Sequence, residues 1–424
     1  MRGVIMGPGA AAGHVLANPM PPLVEAGIAA GLAATLTLGL SLAVARFCVW
    51  RGWLDQPEPR RVHTRPVPRL GGIAIFVAFL TVALIFFRPN GAADARVFAG
   101  LIAAGVLVVA AMAYDDVRGM PPWAKLGTQT LAALVVMFPG AEGTLIAVIH
   151  NPLVAADQGR AFLPLWVAVP FTWFWVVGMM NTVNWLDGSD GLAGGVVAIA
   201  ATVMAVISAV LGQPGPALLC AILAGAVIGF LPLNWHPARI FMGDSGAMFL
   251  GLALAVLANF GGAKLATMLL LMALPILDTA RVIARRARHG HSPLRFDRSH
   301  LHHRLLAGGF TQRQIALLFY GITAAFGGLT ILGAYLQVHL AGWSPLAWVL
   351  PPLGLALASA ALAVVLLVAP RYRAWLAARG RATSASALET PEDATPLSTS
   401  HTHDHAVPVG TAAIARHQVP LPTG

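Results

Sequence analysis

The sequence predicts an all-α polytopic membrane protein, on three observations. Of its 424 residues, 57% are hydrophobic and 10% charged, against about 25% charged in a soluble domain. Mean hydropathy is +0.74. The apolar residues fall in runs of roughly 16–25, near the ~20 residues a helix needs to cross a ~30 Å hydrocarbon core.

Taken in order, residues 1–21 are Gly/Pro/Ala-rich and lack the basic-then-apolar order of a cleaved signal peptide, so they read as a short N-terminal tail. Apolar segments follow near 22–48, 71–87, 97–114, 122–138, 163–180, 192–211, 216–233, 246–260, 265–284, 314–336 and 346–369. Gly and Pro interrupt the neighbourhood of 216–233. The expectation is a transmembrane domain over 22–370 with about 11 helices. Residues 371–424, rich in Ser, Thr, Pro and His, read as a disordered cytoplasmic C-terminal tail.

An odd number of crossings puts the chain ends on opposite sides. With the N-terminus outside, every Lys and Arg faces the cytoplasm except Arg2, Arg88, Arg96, Arg160 and Lys264. The net charge of +10 is therefore a topology signal and not a nucleic-acid footprint. Cys48 and Cys220 lie in or beside apolar spans at no ligand spacing, which argues against a disulfide framework or a zinc site. The same parity brings Asp115-Asp116, the Asn181–Asp190 run, Asn234–Asp244 and His300–His303 to the cytoplasmic face. A transporter is expected to hold ionisable groups near the midplane. This distribution reads instead as an interfacial active site.

Four patches carry the chemistry. Asp115 and Asp116 close the third segment, and adjacent carboxylates repel unless a cation is near; Lys125 or a divalent metal supplies one. In the run from Asn181 to Gly195, Asn181, Asn184, Asp187 and Asp190 alternate with glycines that let backbone approach a ligand, Gly188 and Gly191 among them. Such a run at a membrane boundary needs water, a cation or a polar ligand. Asn234 precedes Phe241 and the helix start at Asp244-Ser245, where a carboxylate and free backbone N–H groups can hold Mg²⁺ and phosphate together, with Phe241 offering a face to a base. Asp278 follows Pro275, and beyond a run of arginines lie His300, His302, His303 and Arg304, a set better suited to a diphosphate or lipid phosphate than to zinc. Structural readings compete at each: helix caps for Asp187, Asp190 and Asp244, solvated helix-end acids for Asp115-Asp116, and a lipid-facing basic surface for the arginines.

Together these pieces resemble the polyprenyl-phosphate N-acetylhexosamine-1-phosphate transferases, in particular the branch that loads GlcNAc-1-phosphate onto undecaprenyl phosphate. The matching pieces run in family order over roughly 50–315: Arg65-Pro66 to Gly72, Tyr114-Asp115-Asp116, the Asn181–Gly195 run, Asn234-Trp-His-Pro237 to Gly246, Pro275 to Thr279, and Ser292-Pro293 to Arg304. Trp185 and Ser189 stand where the pattern carries aliphatic residues.

The resemblance implies a Mg²⁺-dependent enzyme, with Mn²⁺ as an alternative ion. It implies metal ligation by Asp244 and Asp116 and catalysis by Asp115, Asp116, Asp187, Asp190, Lys125, His302 and His303. Substrate binding would fall to Asn181, Asn184, Gly188, Asn234, Phe241, His300 and Arg304. The implied partners are a UDP-N-acetyl sugar, undecaprenyl phosphate and membrane lipid, with no nucleic acid and a homodimer left open. The implied place is the bacterial inner membrane with the active site facing the cytoplasm, and the implied reaction is the first membrane step of O-antigen or related envelope polysaccharide synthesis. A sibling enzyme using UDP-GalNAc or a deoxy sugar, and an ion-coupled transporter or flippase, are the competing readings.

Overall fold

Ten of the eleven apolar segments lie among the residues that the computed structural model describes, namely 22–56, 65–137, 144–150, 160–260, 264–290, 300–339 and 357, and all ten are helical. In order they form α1 (Pro22–Arg51), α2 (Gly71–Phe86), α3 (Ala92–Arg118), α4 (Pro122–Met137), α5 (Leu165–Leu186), α6 (Leu192–Val210), α7 (Pro214–Asn234) and α8 (Gly243–Asn259). The ninth segment breaks into α9 (Leu265–Leu271) and α10 (Ala273–Arg288), bent by 78°. A short α11 (Leu301–Ala307) precedes α12 (Gln312–His339). The tails and all but residue 357 of the segment expected at 346–369 lie outside the described residues.

The protein is an all-α polytopic membrane protein, but the expected count of about 11 is not reached. Among the described residues six helices are long and apolar enough to cross a membrane, or seven if the bent pair is one span. α2, α4 and α8 have 16, 16 and 17 residues, short of the ~20 a span needs. α8 shows why hydropathy overcounts: every residue from Gly243 to Ala258 is buried. Its apolar surface faces α3, α5 and α2. A helix apolar all round reports burial, and burial in protein and in lipid look alike in sequence.

Two boundaries matter for the site. α3 runs on through Asp115 and Asp116 to Arg118, ending where the Gly119 N–H closes on the Asp115 carbonyl at 2.8 Å. α5 continues six residues past the expected end, so Asn181 and Asn184 sit on its last turns.

The start of α8 is locked to the start of α2. Strands β1 (Leu54–Asp55) and β2 (Val67–Pro68) pair antiparallel. Just beyond them the Phe241 N–H donates to the Pro68 carbonyl (2.8 Å), Gly71 N–H to Phe241 (3.0 Å) and Gly72 N–H to Met242 (2.8 Å). Gly72 then meets Gly246 backbone to backbone, and a Cβ on Gly72 would fall on the Gly246 nitrogen. Gly72→Ala is therefore expected to destabilise the protein by about 1–3 kcal/mol through overpacking, read as a lower unfolding midpoint of the detergent-solubilised protein. An unchanged midpoint would show that the two helix starts separate freely. A second antiparallel pair, β3 (Val148–His150) with β4 (Arg160–Phe162), lies in the α4–α5 connection.

Candidate active site

The turn at Gly119 folds α4 back beside the end of α3, so Lys125 in the first turn of α4 reaches the α3 acids. Its Nζ donates to Asp115 Oδ2 at 2.6 Å and to Asp244 Oδ2 at 2.7 Å. Arg69, from the β2–α2 junction, places Nη2 3.3 Å from Asp244 Oδ1 and Nε 3.3 Å from Asp116 Oδ1, with Nη1 3.8 Å from Asp55 Oδ1. The Asp116 side chain is fully buried. Its Oδ1 accepts the Asp244 N–H at 2.9 Å and its Oδ2 the Ser245 N–H at 3.1 Å. The free amides and positive end of α8 are thus met by a carboxylate from a different helix.

Arg69, Lys125 and Asp244 open onto a cavity of about 440 Å³, within the ~300–1,000 Å³ range of small-molecule sites. From α5 come Asn181, Asn184 and Trp185, whose i, i+3, i+4 spacing sets them on one face. Asp187 and Gly188 follow at the helix end. One turn beyond Lys125 on α4, buried Gln129 exchanges amide hydrogen bonds with Asn181, at 2.9 and 3.3 Å, and so ties α4 to α5. Burial, with the Asp244 charge nearby, pushes the Asp187 carboxyl well above the usual carboxylate range, against the opposing pull of Arg69.

Met120, Pro122, Leu126 and Met248 add apolar surface, and the facing wall is imidazole and guanidinium: His300, His302, His303 and Arg286. Asp278 holds this wall in place, its Oδ2 accepting the Leu301 N–H at 2.9 Å and lying 3.0 Å from His300 Nδ1, while Arg281 binds Oδ1 at 3.2 Å. His302 is 3% exposed and packs on Gly188 so closely that a Cβ there would meet its Nε2. Burial and the two neighbouring imidazoles hold His302 well below the usual histidine range, so it is neutral at pH 7.

Of the expected site residues, the structure brings Lys125, Asn181, Asn184, Asp187, Gly188, Asp244, His300, His302 and His303 to this cavity, with Asp115 and Asp116 directly behind Lys125 and Asp244. Asp190, Asn234, Phe241 and Arg304 are not on its lining. Asp190 Oδ2 instead binds His236 Nδ1 at 2.7 Å and accepts the Ala238 N–H at 3.1 Å. Asn234 accepts the Gly191 N–H and donates to the Ile240 carbonyl, at 3.1 and 3.0 Å. Both side chains stitch the loop after α5 to the loop before α8, and Tyr320 adds a 2.6 Å bond to the Gly191 carbonyl. Phe241 contributes the backbone bonds to Pro68 and Gly71. Half-buried Arg304 sits on α11 in the field of Arg281, Asp278 and Arg285. Ser292, Pro293, Asp297 and Arg298 lie outside the described residues.

Eight lining residues escaped the sequence reading as site residues: Arg69, Gln129, Trp185 and Arg286, and the apolar Met120, Pro122, Leu126 and Met248. For Gln129 a signal existed, its i+4 spacing from Lys125 on one helix. Arg286 is one of several arginines in a run, and only its burial, at 7% exposure, separates it from a solvated face.

Asp115, Asp116 and Asp244 each present an oxygen, all within 4.8 Å of one another, the one such group among the described residues. These three carboxylates face two cations, Arg69 and Lys125, of which Arg69 also serves Asp55. That deficit of positive charge and the all-oxygen donor set are compatible with a divalent cation such as Mg²⁺.

Helix ends thus gather acids, fixed cations and amides around one cavity, an arrangement suited to a membrane protein that handles phosphoryl groups. Residues 98–261 match the family model described as glycosyl transferase family 4. The chain is 34% identical to the decaprenyl-phosphate N-acetylglucosaminephosphotransferase of Mycolicibacterium smegmatis, over 73% of this chain and 83% of that one. It is 32% identical to a probable undecaprenyl-phosphate N-acetylglucosaminyl 1-phosphate transferase of Bacillus subtilis, over 67% and 78%. It is 30% identical to the undecaprenyl-phosphate alpha-N-acetylglucosaminyl 1-phosphate transferase of Yersinia pestis, over 66% and 76%. The chain belongs to glycosyl transferase family 4, among the polyprenyl-phosphate N-acetylglucosamine-1-phosphate transferases.

Proposed function

We propose that the protein transfers GlcNAc-1-phosphate from UDP-GlcNAc to undecaprenyl phosphate and releases UMP. The place is the cytoplasmic face of the bacterial inner membrane, with the N-terminus outside, and the role is the opening membrane step of O-antigen or related envelope polysaccharide synthesis. The observation that carries this reading is the Lys125 bridge between Asp115 and Asp244, set beside the polar face of α5 in one cavity. The relatives' names support the sugar phosphate and the polyprenyl acceptor.

A phosphate oxygen of the acceptor attacks the sugar-bearing phosphorus of the donor, and the bond from that phosphorus to the UMP oxygen breaks. Lys125 and Arg69 offset charge where the two phosphates meet, and Arg286, His300 and His303 take further phosphate or sugar oxygens. A phosphomonoester with second pKa about 6 is largely dianionic at neutral pH. Deprotonation is therefore a light task, and Asp115 orients Lys125 rather than acting as a strong base. Asp244, with Asp115 and Asp116 beside it, would hold Mg²⁺, which when bound supplies charge neutralisation on the diphosphate.

The test is full-length protein in detergent with UDP-GlcNAc and undecaprenyl phosphate. UMP should appear in step with the lipid-linked sugar, fall to background with EDTA and return with Mg²⁺. Transfer from UDP-GalNAc alone would move the sugar assignment. Absence of UMP from every UDP-N-acetylhexosamine would sink the reading.

A further inference from the structure

Trp185 is the one large aromatic side chain on a cavity whose lining otherwise mixes charged, amide and imidazole groups with Met120, Pro122, Leu126 and Met248. It is half-buried and carries on the α5 face that holds Asn181 and Asn184. Its ring packs against His300, centroids 5.6 Å apart and tilted by 42°. A second space of about 10 Å³ also borders the indole, lined by Leu186, Pro275 and Phe319 together with polar groups that include Asp278 and His300. That is room for at most about one water.

A flat aromatic face beside phosphate-binding cations suits a ligand that has an apolar face of its own. Two parts of a nucleotide sugar qualify, the uracil and the C–H face of the hexose. The sugar is bonded directly to the phosphate that Lys125 and Arg69 are positioned to hold, whereas the uracil is a ribose and a further phosphate away. His300 and Asn184 beside the indole, with Arg286 on the same cavity, offer the donors that sugar hydroxyls and an acetamido carbonyl require.

We infer that Trp185 is the platform for the donor's hexose ring and thereby a determinant of sugar specificity. The inference deepens the proposed function and rests on it for the identity of the sugar nucleotide.

The experiment compares equilibrium binding of UDP-GlcNAc and of UDP to purified full-length wild type, Trp185→Leu and Trp185→Phe. The Leu variant should lose about tenfold in affinity for UDP-GlcNAc while UDP changes by less than about twofold, and Phe should retain most of the sugar-nucleotide affinity. If the Leu variant does not fold, Trp185→Met, which keeps bulk without an aromatic face, replaces it with the same expectation. Parallel weakening of UDP would assign the indole to the base or to general shape and overturn the inference. So would unchanged UDP-GlcNAc binding, or a wild type that binds UDP-GlcNAc no better than UDP. UMP release by the wild type, measured alongside, tests the proposed function separately, because the binding ratio does not depend on turnover.

Discussion

Asp244→Asn is expected to lower transfer by about three orders of magnitude while leaving the fold intact, as loss of one preorganised charge-stabilising group does elsewhere. The carboxylate accepts Lys125 on one oxygen and Arg69 on the other, at 2.7 and 3.3 Å. Asparagine keeps the shape but turns a donor towards one of these cations and removes the central negative charge of the cluster. The backbone amide of residue 244 still reaches Asp116, so the start of α8 survives. UMP release under saturating Mg²⁺, with the unfolding midpoint as control, reads both halves. A folded variant within tenfold of wild type would remove Asp244 from the reaction.

Asp116→Asn is expected to be nearly as damaging but for another reason, and it should cost stability as well. Asp116 accepts two α8 amides and lies against Arg69 Nε. An amide reproduces one acceptor and presents N–H where the other amide or Arg69 points. The loss of such a charged cap costs about 1–2 kcal/mol. Asp244 then loses its fixed position, and transfer should fall by about two orders of magnitude or more. Because the role is positional, raising the pH should not restore the rate. A stable variant whose residual activity climbs with pH would show instead that Asp116 removes a proton.

The acidic pairs, the glycine-rich run and the histidine trio stood out because polar groups at membrane boundaries are rare, and most of them do converge on the cavity. Asp190 and Asn234 stood out for the same reason, yet their side chains close loops. A buried polar group satisfied by backbone and one satisfied by ligand share one sequence signature. Gln129 and Arg69 were missed because their partners lie far away in sequence, Asn181 for one and Asp116 and Asp244 for the other.

Composition and segment length by themselves determined that this chain is an α-helical membrane protein, since apolar transfer is summed locally along the chain. The motif set, read in order, determined its family resemblance. Tertiary structure alone decided which apolar helices are core rather than lipid-facing, because transfer out of water scores both alike. It alone placed Lys125 between Asp115 and Asp244, and set a buried carboxylate from α3 on the first turn of α8. Coulomb attraction and hydrogen bonding act over a few ångströms of space whatever the separation in sequence, so contacts between distant residues leave no periodic trace in the order of amino acids.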